Sequence, residues 1–287
     1  MIHAWCIRPL AIVLCLAVVG AGSGYSSRRT TASSECATSL TIPSPADTTP
    51  DLRLTLNVPA YRLDVIEEGR TVRSISVAVG QPKYRTPLGH FRIDHIVWNP
   101  WWRPPNSEWA RNERVTPPGW KNPVGRVKLH VTGLVFLHGT PLEDSRGSAA
   151  SHACLRMSNL DAIALATLVQ DRAGPPPPPA GLDSLVADTT KTRTVILDHT
   201  VPIDVVYWLA EVRGDDLVVH PDVYSMASRR GSVERHVTDA FIRAGLDAPR
   251  LSPARMRALV RDSRRAPVRV RIADLLEAPL PVTPIHW

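Results

Sequence analysis

His138-Gly-Thr-Pro-Leu-Glu-Asp-Ser-Arg-Gly-Ser-Ala-Ala-Ser-His-Ala-Cys-Leu-Arg-Met157 is the stretch on which the reading of this chain turns. An apolar run, Gly133-Leu-Val-Phe-Leu137, delivers a histidine into a loop of small and polar residues. That loop closes on Ser151-His-Ala-Cys154, with Arg156 just beyond. A thiol, two imidazoles and a guanidinium in so short a span make an inventory for attack on an acyl carbon. They supply a nucleophile, a base to activate it and a cation to hold an anionic substrate.

Outward from this loop the pattern is one of short strands. Leu52-Arg-Leu-Thr-Leu-Asn-Val58, Tyr61-Arg-Leu-Asp-Val65 and Gly125-Arg-Val-Lys-Leu-His-Val-Thr132 alternate with period two, and Val72 to Val79 reads as a further strand. After the loop, Ser158 is placed to cap a helix, with Asp161 in its first turn. Leu160, Ile163, Ala164, Leu165 and Leu168 form its apolar stripe, and Gly174 with the prolines that follow ends it. Lys191–Leu197 and Pro202–Val212 read as closing strands, with Asp216–His220 as one more.

The loop resembles the signature of the YkuD-type L,D-transpeptidases, cysteine enzymes that cross-link bacterial peptidoglycan. The matching residues are His138-Gly139-Thr140, then Ser151-His152-Ala153-Cys154, then Arg156. Thr86, Pro87, Gly89 and Phe91, the segment Trp98-Asn-Pro-Trp-Trp-Arg-Pro-Pro105 and the segment Pro117-Pro-Gly-Trp-Lys-Asn-Pro-Val-Gly125 extend the likeness, as does Pro221-Asp-Val-Tyr224. The resemblance covers about residues 52–210. It implies a mainly β fold, a β-sandwich or barrel-like catalytic domain with a packed helix.

By that resemblance Cys154 is the nucleophile and His138 the base, its ring oriented by the Gly139 carbonyl. His152 is auxiliary, and the backbone N–H groups of Ala153 and Cys154 form the oxyanion hole. Arg156 clamps a substrate carboxylate, with Ser151, Trp102 and Tyr84 also lining the substrate site. The implied partners are peptidoglycan stem peptides, with carbapenems as acylating inhibitors, and no cofactor is required. The same site with water as acceptor would be a carboxypeptidase or amidase; without turnover it would be a wall-binding module. Cationic neighbours predict a thiol pKa below that of free cysteine. Ala153 departs from the family's glycine. Either that position needs a positive φ, and alanine strains the loop, or it needs slimness, and the methyl narrows the groove.

A zinc site on His138, His152 and Cys154 is disfavoured, since neither a Cys-x-x-Cys pair nor His-Glu-x-x-His occurs. The net charge of +7 favours anionic polymers, but no nucleic-acid-binding module is visible. Residues 1–24 read as a secretory signal or N-terminal anchor built on Leu10–Val19, too short for a comfortable span and the chain's one route to a membrane. The expected destination is therefore the cell envelope. Residues 25–50 are a Ser/Thr/Pro-rich linker, 51–212 the catalytic domain, and 213–287 a small, arginine-dense helical appendage. Cys6 and Cys15 fall in the signal. A Cys36–Cys154 disulfide, which would silence the nucleophile, is disfavoured by the linker character around Cys36.

Overall fold

The computed structural model describes residues 51–176, 181–227, 232–247 and 251–275. The expected signal and linker lie outside the described residues. Period-two alternation places Leu52, Leu54 and Leu56 of strand β1 (Leu52–Asn57) on one buried face. Strands β2 (Arg62–Glu67) and β3 (Arg70–Ser76) continue from it as a meander. The next long strand is β5 (Gly89–Trp98), reached after the short β4 (Val79–Gly80). Then come β6 (Val127–Thr132), β7 (Val135–Thr140), β9 (Leu155–Ser158) and β10 (Arg193–Val206).

These strands form an eight-stranded mixed sheet in the order β3-β2-β1-β10-β5-β6-β7-β9. Two pairings are parallel, β1 with β10 and β7 with β9. The other parallel pair is β4 with β8 (Ala149–Ser151), a separate two-stranded sheet that carries the approach to Cys154.

Helix α1 (Asn159–Ala173) packs on the large sheet. Ser158 caps it, accepting the Asp161 N–H at 3.0 Å. Its buried face is Ala162, Leu165, Ala166, Val169 and Ala173. Leu160, expected on that face, is 71% exposed. The helix sits rotated because small alanines allow a close approach to the sheet. Trp98 belongs to the same core, its indole N–H donating to Gln170 at 2.8 Å. Among the described residues no helix is long and apolar enough to cross a membrane.

The C-terminal part is more than helical. Strands β11 (Ala210–Arg213), β12 (Asp216–Val219) and β13 (Val268–Arg271) form an antiparallel sheet. Val237, Ala240 and Phe241 of one helix (Val233–Arg243) and Leu259 of another (Pro253–Asp262) pack with Ala210, Leu217 and Val219 into a second core. Ala210–Val212, read from the sequence as the end of the Pro202–Val212 closing strand, thus pairs within this module. A polar cluster joins the module to the main sheet. Glu211 is bonded by Asn57 and Arg62, while Arg213 reaches Asp64 at 2.7 Å and Glu211 at 3.2 Å.

Candidate active site

Strand pairing assembles the site. In the β6–β7 ladder Lys128 lies opposite His138, and in the β7–β9 ladder His138 lies beside Arg156. Register partners point to the same face, so Lys128, His138 and Arg156 form one row across three strands. His138 is buried at 3% exposure. Its Nδ1 is 2.7 Å from the Gly139 carbonyl, which fixes the N–H on Nδ1 and leaves Nε2 as the acceptor. Burial pulls its pKa down to about 4; the Gly139 bond opposes this, and the charges of Arg156 and Lys128 add to it.

Gly139 must be glycine for steric reasons. A Cβ there would meet the Asn159 side-chain oxygen at 2.3 Å. Asn159 opens α1, accepts the Arg126 N–H at 2.9 Å and donates to the Thr140 carbonyl at 3.3 Å. The next carbonyl after the one that orients His138 is therefore tied to the start of the helix.

Cys154 sits half-buried between β8 and β9 and, among the described residues, forms no disulfide. Its Sγ donates to the Leu134 carbonyl at 3.3 Å. Burial pushes the thiol pKa up, against the Phe136 backbone N–H and the charges of Arg156 and Lys128, which favour the thiolate. This reverses the expected lowering: sequence neighbours reveal the cations but not the desolvation. The resting pair is thus a neutral thiol and a neutral imidazole. Burial also depresses the pKa values of Lys128 and Arg156, with Cys154 opposing the fall in each case.

The loop geometry answers the question posed by Ala153. Its φ is +79°, in the left-handed region. The conformation is held from several sides. Thr86 donates its hydroxyl to the Ala153 carbonyl at 3.0 Å and accepts the Gly80 N–H at 2.9 Å. Ser151 is fully buried and donates its hydroxyl to the Cys154 carbonyl. Ser151, which the sequence places in the loop both as a hydrogen-bonding residue and beside the substrate site, makes the loop bond. Tyr224 closes the ring, donating to the Gly80 carbonyl at 2.8 Å and accepting the Thr86 N–H at 3.1 Å. Tyr207 accepts the Tyr224 N–H at 2.7 Å and donates to Asp222 at 2.6 Å.

An aromatic cover lies over the loop. Trp109 stacks on His152 with ring centroids 3.9 Å apart and planes within 6°. Trp102 stacks on Trp109 at 6.3 Å, and Tyr84 tilts against His152 at 4.7 Å. Asn122 secures the base of this cover, donating to the Pro100 and Pro117 carbonyls, each at 2.9 Å. Among the described residues, buried Trp102 Nε1 and His152 Nδ1 have no hydrogen-bond partner.

The family model for the L,D-transpeptidase catalytic domain, YkuD, matches residues 51–197. The chain belongs to the YkuD family. It is 25% identical over 146 residues to the Bacillus subtilis protein named "Putative L,D-transpeptidase YqjB", covering 50% of this chain and 76% of that one. It is 32% identical over 124 residues to "Putative L,D-transpeptidase YkuD" of Bacillus licheniformis, covering 43% of this chain and 62% of the other. Among solved structures it is similar to an L,D-transpeptidase from Mycobacterium smegmatis, with 20% identity, a TM-score of 0.37, and coverage of 55% of this chain and 59% of that one. The chain thus spans about three fifths of the licheniformis relative and of the mycobacterial chain.

Within this YkuD domain the fold gathers His138, Gly139, Ala153, Cys154 and Arg156 at one end of the sheet, with His152, Tyr84 and Trp102 under or in the cover. Sequence reasoning missed Lys128, whose signal was its outward place in the Val127–Thr132 alternation. It did not single out Trp109 from the tryptophan cluster; it reads Thr86 as part of a scaffold turn without its bond to the nucleophile loop, and it missed Tyr224 as a support.

Proposed function

We propose that this chain is a peptidoglycan L,D-transpeptidase that forms 3→3 cross-links through a thioester on Cys154. One observation carries the reading: a thiol beside a row in which a neutral, Gly139-oriented imidazole is flanked by two cations. Because thiol and imidazole both rest neutral, the proton passes from Sγ to His138 Nε2 as sulfur attacks the carbonyl of the third stem residue. No acceptor among the described residues takes the backbone N–H of Ala153 or Cys154, so both are available to the developing oxyanion. The C–N bond to D-Ala then breaks, and His138 returns the proton to the leaving amine. A side-chain amine of a second stem attacks the thioester, an amide forms, and Sγ regains its proton through His138.

Arg156 and Lys128 favour binding of a stem carboxylate and stabilise the negative charge that develops on sulfur as its proton leaves. The two unpartnered polar atoms under the cover, Trp102 Nε1 and His152 Nδ1, suit a polar peptide as ligand. A carbapenem carbonyl would be attacked by the same sulfur. Residues 1–24 would deliver the enzyme to the cell envelope.

Incubation with a disaccharide-tetrapeptide, read by mass spectrometry beside Cys154→Ala, tests the proposal. A dimer lacking one D-Ala, absent with the variant, is expected. Tripeptide alone would replace transpeptidation by hydrolysis, and no product at all would leave a wall-binding module.

A further inference from the structure

Asp94 and His95 on β5 and His130 on β6 form a second cluster that the transpeptidase reading does not use. The Asp94 Oδ1 lies 2.7 Å from His95 Nδ1 and 2.9 Å from His130 Nδ1. The two imidazoles stack with centroids 4.7 Å apart and planes 20° from parallel. His130 leans on Phe136, its cross-strand partner, at 5.5 Å. The three donor atoms all fall within 4.8 Å of one another.

The cluster adjoins the catalytic row. His130 is two residues along β6 from Lys128 and so shares its face. Phe136 lies between them, with the Lys128 ammonium 4.2 Å from its ring centre. Two hydrogen-bonded strands hold the imidazoles, so little ordering remains when a ligand arrives. Asp94 is 52% exposed in its side chain, and solvent reaches the site.

Two imidazole nitrogens and one carboxylate oxygen are the donor types of a three-residue zinc site whose fourth position takes water. Nitrogen donors select a first-row transition cation over calcium or magnesium. Zinc bonds of roughly 2.0–2.2 Å spread such donors slightly wider than the two Asp94 contacts, and an exposed carboxylate can swing outward by that amount. We propose that Asp94, His95 and His130 bind one zinc ion beside the active-site groove. The competing account is that Asp94 simply accepts two imidazole N–H bonds, which predicts no response to metal.

Zinc itself is the probe, titrated calorimetrically into the full chain carrying Cys6→Ser, Cys15→Ser, Cys36→Ser and Cys154→Ala, so that no thiol competes. The test is independent of transpeptidase activity. One saturable site per chain is expected, with a rise in Tm on zinc addition. Asp94→Asn and His95→Ala should each weaken binding at least tenfold while leaving the metal-free Tm close to that of the parent; Asp94→Asn, on an exposed side chain, serves should His95→Ala fail to fold. Absence of saturable binding, or binding that both substitutions leave unchanged, overturns the proposal.

Discussion

Replacing Ala153 by glycine should make the protein more stable, although it deletes a methyl group. Ala153 is held at φ +79° by the Thr86 bond to its own carbonyl and the Ser151 bond to the next one, so it cannot relax toward the right-handed region. An L-residue there costs about 1–2 kcal/mol. Glycine removes that cost but brings about 0.4–1 kcal/mol of extra unfolded-chain entropy. The difference is a net gain of about 0.5–1 kcal/mol, worth about 1–4 °C in Tm for a chain of this size. Thermal melts of Ala153→Gly against the parent would measure it. Ala150→Gly is the internal control. Ala150 lies in strand β8 with no positive φ, so the same chemical change should lower Tm there. A Tm for Ala153→Gly equal to or below the parent's would refute the claim that the loop stores backbone strain.

Four further outcomes follow from the site. Gly139→Ala should destabilise by roughly 1–3 kcal/mol in urea unfolding, because its Cβ would fall 2.3 Å from the Asn159 oxygen, and it should abolish turnover by displacing the carbonyl that orients His138. Stability should fall as pH drops from about 6.5 to about 4, because His138 titrates in the unfolded chain in that window but stays neutral in the folded one. The contribution reaches up to about 3 kcal/mol, and His138→Gln should flatten that part of a pH–stability curve. Iodoacetamide alkylation of Cys154 should keep accelerating beyond pH 9, since burial raises the thiol pKa. Lys128→Met should slow that alkylation roughly 3–10-fold at pH 8 by removing a cation beside the sulfur, and an unchanged rate would separate Lys128 from the nucleophile.

The parts of the site legible in the sequence are those contiguous in it. His138 with Gly139, and Ser151 through Arg156, lie within one strand–loop–strand passage, so spacing alone brings them together. Lys128 joins them only through the β6–β7 register, which no local pattern discloses. The same holds for Asp94, His95 and His130, whose convergence needs two strands in hydrogen-bonded contact. The direction of the Cys154 shift was misjudged because charge can be read along a chain whereas burial cannot. Leu160 illustrates the ambiguity of a helix rich in alanine, where several faces look equally apolar and packing selects among them. Val268–Arg271 alternates as a strand should, yet its arginines disguised it within a basic helical tail.

The Tyr224 hydroxyl, bonded at once to the Gly80 carbonyl and the Thr86 N–H, bears on how this domain can be inherited. The family match stops at residue 197, inside strand β10, before Val201–Val205, the half of that strand whose pairing with β5 resumes past the bulge. A recombination event that transplanted only the recognisable segment would leave β10 cut short and the nucleophile loop without its tyrosine prop. The smallest stretch of this chain that holds the nucleophile loop in its present shape therefore runs through Tyr224.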